Sequence, residues 1–205
     1  MSLEPTVFIV DDDQEVRAAI GLLMESVGLA AEPFASAQDY LDRFDPARPG
    51  CLVLDVRMKG MSGLDLQQRL ADEPLHPPII VVTGHGDVPM AVRAVKNGAV
   101  DFIEKPFNDQ TLLDAVHRAL EQDANQRGQA SRLAELRERL QRLTPREREV
   151  LDQVVAGKRN KVIAADLNIS QSTVEAHRAR VMEKMEARSL SELMRMMLLL
   201  DPDTE

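Results

Sequence analysis

Between residues 6 and 118, short apolar runs alternate with stretches whose apolar positions recur at helical spacing. Thr6–Val10, Cys51–Leu54 and Ile79–Val82 read as buried strands of a parallel sheet, Ala30–Phe34 is a weaker candidate, and Val100–Ile103 completes the set. Helices are predicted between and after them at Glu15–Val27, Ser36–Phe44, Gly63–Ala71, Val88–Asn97 and Asp109–Leu120. Their ends carry matching signals: Ser36 with Asp39 three residues on, Ser62 with Asp65, Asp87 as a cap, and Gly98 as a stop. Strand and helix alternate five times, which predicts a doubly wound parallel sheet covered by helices on both faces.

The pattern then changes. Residues 121–143 are polar, with a possible break at Gly128 and an apolar stripe of Leu133, Leu136, Leu140 and Leu143 at spacings of three, four and three. Such a narrow stripe fits a helical linker that pairs with a copy of itself, or a single solvated helix. From Thr144 onward the chain reads as four helices. Thr144-Pro145-Arg146-Glu147 joins a cap, an N1 proline and a capping-box glutamate, and Gly157 ends that helix. Lys161–Leu167 is a short helix, Asn168-Ile169-Ser170 a turn and Gln171–Met185 a longer helix. Ser189-Leu190-Ser191-Glu192 reads as a second capping box, opening a last helix through Leu200.

Charge separates the two halves. The 205-residue chain has a formal net charge of −9. Residues 1–120 hold 10 basic and 19 acidic side chains, whereas residues 158–184 hold 6 basic and 3 acidic. An acidic first half suits a cation, and a locally basic segment suits nucleic acid, while the overall acidity opposes indiscriminate binding. A lone cysteine, Cys51, excludes an intrachain disulfide and a multi-cysteine metal site. With no apolar stretch long enough to span a bilayer and no secretory leader pattern, a cytoplasmic location without membrane contact is expected.

The residues that follow the strands carry the first candidate chemistry, because sites in a parallel α/β sheet form beyond the C-terminal strand ends. The first strand runs into Asp11-Asp12-Asp13, the third into Asp55, the fourth into Thr83-Gly84, and the fifth into Lys105-Pro106. Clustered carboxylates are costly unless a cation joins them, and Mg²⁺ suits carboxylates plus carbonyl and water. A carboxylate beside Mg²⁺ can attack a phosphoryl group and form an aspartyl phosphate, with a lysine and a threonine hydroxyl on its other oxygens.

On these residues, with the Asp55-x-x-Met58 run, Gly63 and Lys105-Pro106-Phe107, residues 6–122 resemble the receiver domain of two-component response regulators. The resemblance implies a flavodoxin-like (βα)5 receiver with Asp55 as phospho-acceptor. Mg²⁺ would be held by Asp11, Asp12, Asp55 and the Arg57 carbonyl. Thr83 and Lys105 would contact the phosphoryl group, Thr83 and Phe102 would act as switch residues, and the Lys105-Pro106 bond would be cis. Lys59 stands where many members have proline, which frees the loop after Asp55 and bears on phosphoryl lifetime or kinase choice. Haloacid-dehalogenase-type phosphatases share the Asp, Thr, Lys and Mg²⁺ set but need a carboxylate two residues after the nucleophile. Arg57 stands there, so the chain is read as a phospho-accepting regulator and not an enzyme. His85 reads as part of a loop, and His76 and His117 as surface residues.

The second constellation is a helix-turn-helix. At about 100° per residue, Val174, Val181 and Met185 share the inward face of the longer helix, and the opposite arc carries Ser172, Glu175, Ala176, Ala179, Arg180 and Glu183. Residues 142–200 resemble the LuxR-type helix-turn-helix through Leu143–Leu151, Gly157, Asn160-Lys161, Ile163-Ala164 and Thr173-Val174-Glu175-x-His177-Arg178. Gly84–Pro89 and the run from Val181 to Leu190 resemble the FixJ branch of that family. The resemblance implies an α/β plus all-α chain: a receiver over 5–122, a helical linker over 123–142 and a four-helix DNA-binding domain over 143–203. Glu175, Ala176 and Ala179 would face base edges in the major groove, while Lys161, Thr173, Arg178, Arg180 and Lys184 would meet phosphates. Arg178 flanks the buried stripe, and His177 fits either a phosphate contact or packing within the domain.

Together these features imply a phosphorylation-gated transcription factor. Its partners would be a sensor histidine kinase, operator DNA, RNA polymerase as an activator's target, and a second copy when phosphorylated. Two further readings are a constitutive DNA binder whose receiver tunes oligomerisation, and a signalling adaptor whose C-terminal helices bind protein.

Overall fold

The computed structural model describes residues 4–73, 75–84 and 88–200. His85 and the expected cap Asp87 lie outside these residues, as does part of the Gly84–Pro89 run. The chain divides into two compact units, Met1–Arg127 and Gly128–Glu205.

In the first unit the elements run β1 (Thr6–Val10), α1 (Gln14–Ser26), β2 (Ala30–Phe34), α2 (Ala37–Arg43), β3 (Gly50–Asp55), α3 (Gly63–Ala71), β4 (Ile79–Thr83), α4 (Val88–Lys96), β5 (Asp101–Glu104) and the start of α5 (Asp109–Gln141). All pairings in the five-stranded sheet are parallel, in the order β2-β1-β3-β4-β5. The period-two alternation of the buried strands sorts their side chains to two faces. Phe8, Val10, Leu52, Leu54 and Val81 pack with Tyr40 of α2, Leu66 and Leu70 of α3 and Ala94 of α4. Val7, Ile9, Cys51, Val53, Ile80 and Val82 pack with Ile20 and Met24 of α1 and Leu112, Val116 and Ala119 of α5. Helices therefore cover both faces, as the alternating pattern predicts.

The caps explain the boundaries. Asp13 accepts from the N–H groups of Glu15 and Val16, while Ser36 and Ser62 accept from Asp39 and Asp65 at the starts of α2 and α3. The Lys105-Pro106 bond is cis.

One expectation is corrected. The helix predicted to stop at Leu120 continues without a break through Gly128 to Gln141. The physical reason lies partly in Asp123, which is buried. Its carboxylate accepts from the Gly50 N–H at 2.9 Å and from Arg127 Nε at 2.8 Å, and Arg127 also donates to the Pro46 and Arg48 carbonyls at 2.8 and 2.6 Å. This clamp holds the helix beyond its apolar stripe. A mid-helix glycine costs only about 1 kcal/mol, which such anchoring outweighs.

In the second unit the end of α5 is followed by α6 (Pro145–Val155), α7 (Asn160–Asp166), α8 (Gln171–Lys184) and α9 (Leu190–Leu200). Val150, Leu151, Ile163, Val174, Val181, Met185 and Leu193 form the core, and Leu140 and Leu143 pack against it. The end of the leucine stripe is thus taken up within its own chain. Thr144 and Glu147 form the complete capping box at α6. Asn168 takes the left-handed conformation, with φ of 53°, that lets the chain turn between α7 and α8. At α9, Ser189 accepts from the Glu192 N–H, while the Glu192 carboxylate accepts from the Arg188 N–H instead of closing on Ser189 itself.

Candidate functional site

Parallel register carries four strand ends to one edge of the sheet. Val10 pairs with Leu54, Asp55 with Val82 and Thr83 with Glu104, so Asp11, Asp55, Thr83 and Lys105 emerge side by side. Lys105 Nζ donates to Asp11 Oδ2 at 2.6 Å and to Asp55 Oδ1 at 3.0 Å. Its own N–H donates to the Thr83 carbonyl at 2.8 Å. Asp11, Asp55 and Thr83 are buried, whereas Asp12 and Arg57 are exposed and Lys105 lies between. Asp11 is oriented by its neighbour: its Oδ1 accepts from the Asp13 N–H at 2.8 Å. Its carbonyl accepts from Arg17 Nη1 at 2.6 Å.

Two buried carboxylates share one ammonium. Burial pushes the Asp55 carboxyl above its ordinary value, and the Asp11 charge adds to that. The Lys105 hydrogen bond and charge and the Arg57 backbone N–H oppose the rise without cancelling it. For Lys105, burial pulls downward, but the hydrogen bonds to Asp11 and Asp55 outweigh it and hold the ammonium above its usual range. The edge therefore keeps an excess of negative charge on hard oxygen donors, which suits a divalent cation of the Mg²⁺ type and not a thiophilic metal. Among the described residues, no three of His, Cys, Asp and Glu converge as a cation cluster. The tight grouping is that of Asp11, Asp55 and Lys105.

The loop that follows Asp55 is pinned close to it. Gly63 donates its N–H to the Val56 carbonyl at 3.0 Å, and a Cβ at Gly63 would lie 2.1 Å from the Asp55 carbonyl oxygen. Only glycine lets α3 start that near the acidic edge. Lys59 stands exposed in the loop. Phe102 is half-buried against the core face shared with α3 and α4. Along α4 itself, Ala94 is the buried residue, while Val88, Val92 and Val95 are exposed.

In the second unit, Lys161, Glu175, Ala176, Ala179 and Arg180 are exposed, and Val174 and Val181 turn inward. The remaining candidates have partners inside the domain or sit partly within it. Arg178 Nη1 donates to Asn160 Oδ1 at 2.9 Å, tying α8 to the start of α7. The hydroxyl of Thr173 lies 2.8 Å from that of the cap Ser170. Lys184 Nζ donates to Glu147 Oε2 at 2.6 Å and to the Arg142 carbonyl at 3.2 Å. The Nδ1 of His177 is buried and has no hydrogen-bond partner among the described residues. Sequence reasoning missed the Glu147–Lys184 pair and the Asp123–Arg127 clamp. The clamp had a signal in its i, i+4 acid–base spacing; the Glu147–Lys184 pair, 37 residues apart, had none.

Comparison with known proteins agrees with this two-part layout. Residues 7–117 match the response regulator receiver domain family, and residues 141–197 match the bacterial regulatory proteins of the luxR family. Nodulation protein W of Bradyrhizobium diazoefficiens is 48% identical over 195 residues, covering 95% of this chain and 86% of that protein. Transcriptional regulatory protein FixJ of Rhizobium meliloti is 49% identical over 193 residues, covering 94% and 95%. The solved structure of the response regulator StyR superposes with a TM-score of 0.86 at 43% identity, over 95% of this chain and 98% of that one. Full-length FixJ from B. japonicum gives a TM-score of 0.57 at 40% identity, over 98% of each chain. Among the described residues, no helix is long and apolar enough to cross a membrane.

Proposed function

Because the chain belongs to the response regulators that join a receiver domain to a LuxR-type DNA-binding domain, we propose that it is switched by phosphorylation of Asp55. The chain is a transcription regulator and not an enzyme in its own right. The observation that supports the proposal is the buried Asp55 carboxylate at a strand end, which shares the Lys105 ammonium with Asp11.

In this reading a sensor histidine kinase presents a phosphohistidine in the cytoplasm. An Asp55 oxygen attacks phosphorus as the bond to the histidine nitrogen breaks, and the phosphoryl group moves to the aspartate. Asp11, Asp12, Asp55 and the Arg57 carbonyl would hold Mg²⁺, which supplies charge neutralisation to the phosphoryl oxygens. Lys105 leaves its shared position between the two acids to pair with a phosphoryl oxygen, and the Thr83 hydroxyl takes another. Phe102 then packs inward, and the α4 face with Val88, Val92 and Val95 becomes the contact with a second copy. Two α8 helices read paired half-sites about one duplex turn apart, or a multiple of it. Glu175, Ala176 and Ala179 face bases. Lys161, Thr173, Arg178, Arg180, Lys184 and the His177 ring serve the phosphate side or the framing of the helix. The bound dimer then recruits RNA polymerase as an activator.

Analytical ultracentrifugation with Mg²⁺, with and without the phosphoryl mimic beryllofluoride, tests the gate. A monomer-to-dimer shift that Asp55→Asn abolishes is expected. No shift despite confirmed modification of Asp55 overturns gating by dimerisation.

A further inference from the structure

The side chain of Gln67 on α3 is buried yet fully polar, and both hydrogens of its amide are used on another helix. Nε2 donates to the Ala94 carbonyl at 2.9 Å and to the Asn97 carbonyl at 3.2 Å, at the C-terminal end of α4. Its Oε1 is also buried and has no hydrogen-bond partner among the described residues. A buried carbonyl oxygen without a donor is costly, and leucine or methionine would fill the same volume without that cost. The glutamine carries this cost, so its two donated bonds are the feature to explain.

Their targets are informative. Carbonyls in the last turn of a helix lack the N–H partners that the interior has. Ala94 O already accepts from the Ala99 N–H at 3.0 Å, so the Gln67 amide adds a second donor there and reaches the Asn97 carbonyl as well. Helix α4 is otherwise seated through buried Ala94, through Met90 packed against the core and through an exposed ion pair of Arg93 with Asp65 of α3 at 3.6 Å, while Val88, Val92 and Val95 are exposed; the Gln67 amide adds buried hydrogen bonds at its C-terminal end. At the other end of the path, Gln67 lies one helical turn after Gly63, the residue packed on the Asp55 backbone. Acceptor backbone, start of α3 and end of α4 form one contiguous chain of contacts.

We propose that Gln67 is a positioning residue that tethers α4 in the resting state and that activation must release. The proposal rests on the phosphorylation-gated reading above. Gln67→Met keeps the volume and removes the donors. In the full-length chain without any phosphoryl donor, amide hydrogen exchange over residues 94–99 should quicken about fivefold, the size set by losing about one net hydrogen bond. Donor-free self-association measured by ultracentrifugation should strengthen by a similar factor. A side chain that merely filled space would lower stability without strengthening association. Unchanged exchange in α4, or quicker exchange with unchanged or weaker association, overturns the tether. If Gln67→Met fails to fold, Gln67→Asn, whose amide is one methylene short, is measured instead with the same expectations. Wild type with beryllofluoride is run alongside. A wild type that ignores beryllofluoride defeats the phosphorylation gate, while a responsive wild type beside an unaltered variant defeats only the tether.

Discussion

Asp55 in the receiver and Glu147 in the helical unit are both buried carboxylates facing a lysine ammonium, yet their surroundings push them in opposite directions. Glu147 has Lys184 Nζ at 2.6 Å and the Thr144 backbone N–H at 2.8 Å, and these donors hold its carboxyl below the ordinary range. Asp55 shares Lys105 with Asp11, and burial wins, leaving its carboxyl above the ordinary range. The difference is one of supply. Where donors are dedicated to one carboxylate, the buried charge is a fastener. Where one ammonium serves two acids, charge is left over for something that arrives later, at a cost in stability that functional sites commonly carry.

The largest effect expected from this contrast lies in the helical unit. Glu147→Ala removes half of the α6 capping box and leaves Lys184 without its carboxylate, and should cost about 3 kcal/mol. The units can be followed separately in the intact chain. Tyr40 is the single tyrosine, there is no tryptophan, and Tyr40 sits in the receiver core, so its fluorescence reports that unit alone. Far-ultraviolet circular dichroism reports both. Urea unfolding of Glu147→Ala should show an earlier circular-dichroism transition with the Tyr40 transition unmoved. A circular-dichroism midpoint equal to wild type would break the comparison at its stronger end.

Asp55→Asn should act with the opposite sign and a smaller size. Removing one of two charges that compete for Lys105 should raise receiver stability by about 1 kcal/mol, seen as a later Tyr40 transition in urea. On the proposed gating the same substitution should also abolish the phosphoryl-dependent dimer, so that stability and function part at one residue. If Asp55→Asn destabilises the receiver, the Asp55 carboxylate is a fastener like that of Glu147 and the contrast is lost.

Much of this was legible along the chain, and the gaps have a common cause. Strand runs such as Thr6–Val10 and Ala30–Phe34 match the observed limits, because strand burial and caps are local signals. The residues at the strand ends were legible for the same reason, since sheet topology alone brings them to one edge. The continuation of α5 past Leu120 was not. Its surface is polar, and it is supported by contacts reaching back to Pro46, Arg48 and Gly50, far away in sequence. Gln67 resembles any surface glutamine until its place on the face shared with Gly63 and Leu70 is considered. Lys184 is the sharpest case. Its position at the end of a recognition helix suggests a phosphate contact, and the partner it has in the structure is 37 residues upstream.

The smallest expected effect, and the most direct test of the opposed signs, is the dependence on pH. The Glu147 carboxyl is lowered in the fold, so its contribution is complete above the ordinary carboxylate value near 4.5 and is lost as pH falls through the lower folded value. The Asp55 carboxyl is raised, so between 3.8 and its folded value the native receiver binds a proton that the unfolded chain releases. Receiver stability therefore falls as pH rises through that window, and the advantage of Asp55→Asn over wild type should grow from acid towards neutral pH and then level off. Glu147→Gln should behave inversely, with its deficit constant at neutral pH and vanishing only in acid below the ordinary carboxylate range. Tyr40 and circular-dichroism midpoints of the three chains across that range measure both trends. Parallel pH profiles for the two variants would mean that the donors around Asp55 are as sufficient as those around Glu147, and that the acidic edge carries no spare charge for a cation or a phosphoryl group.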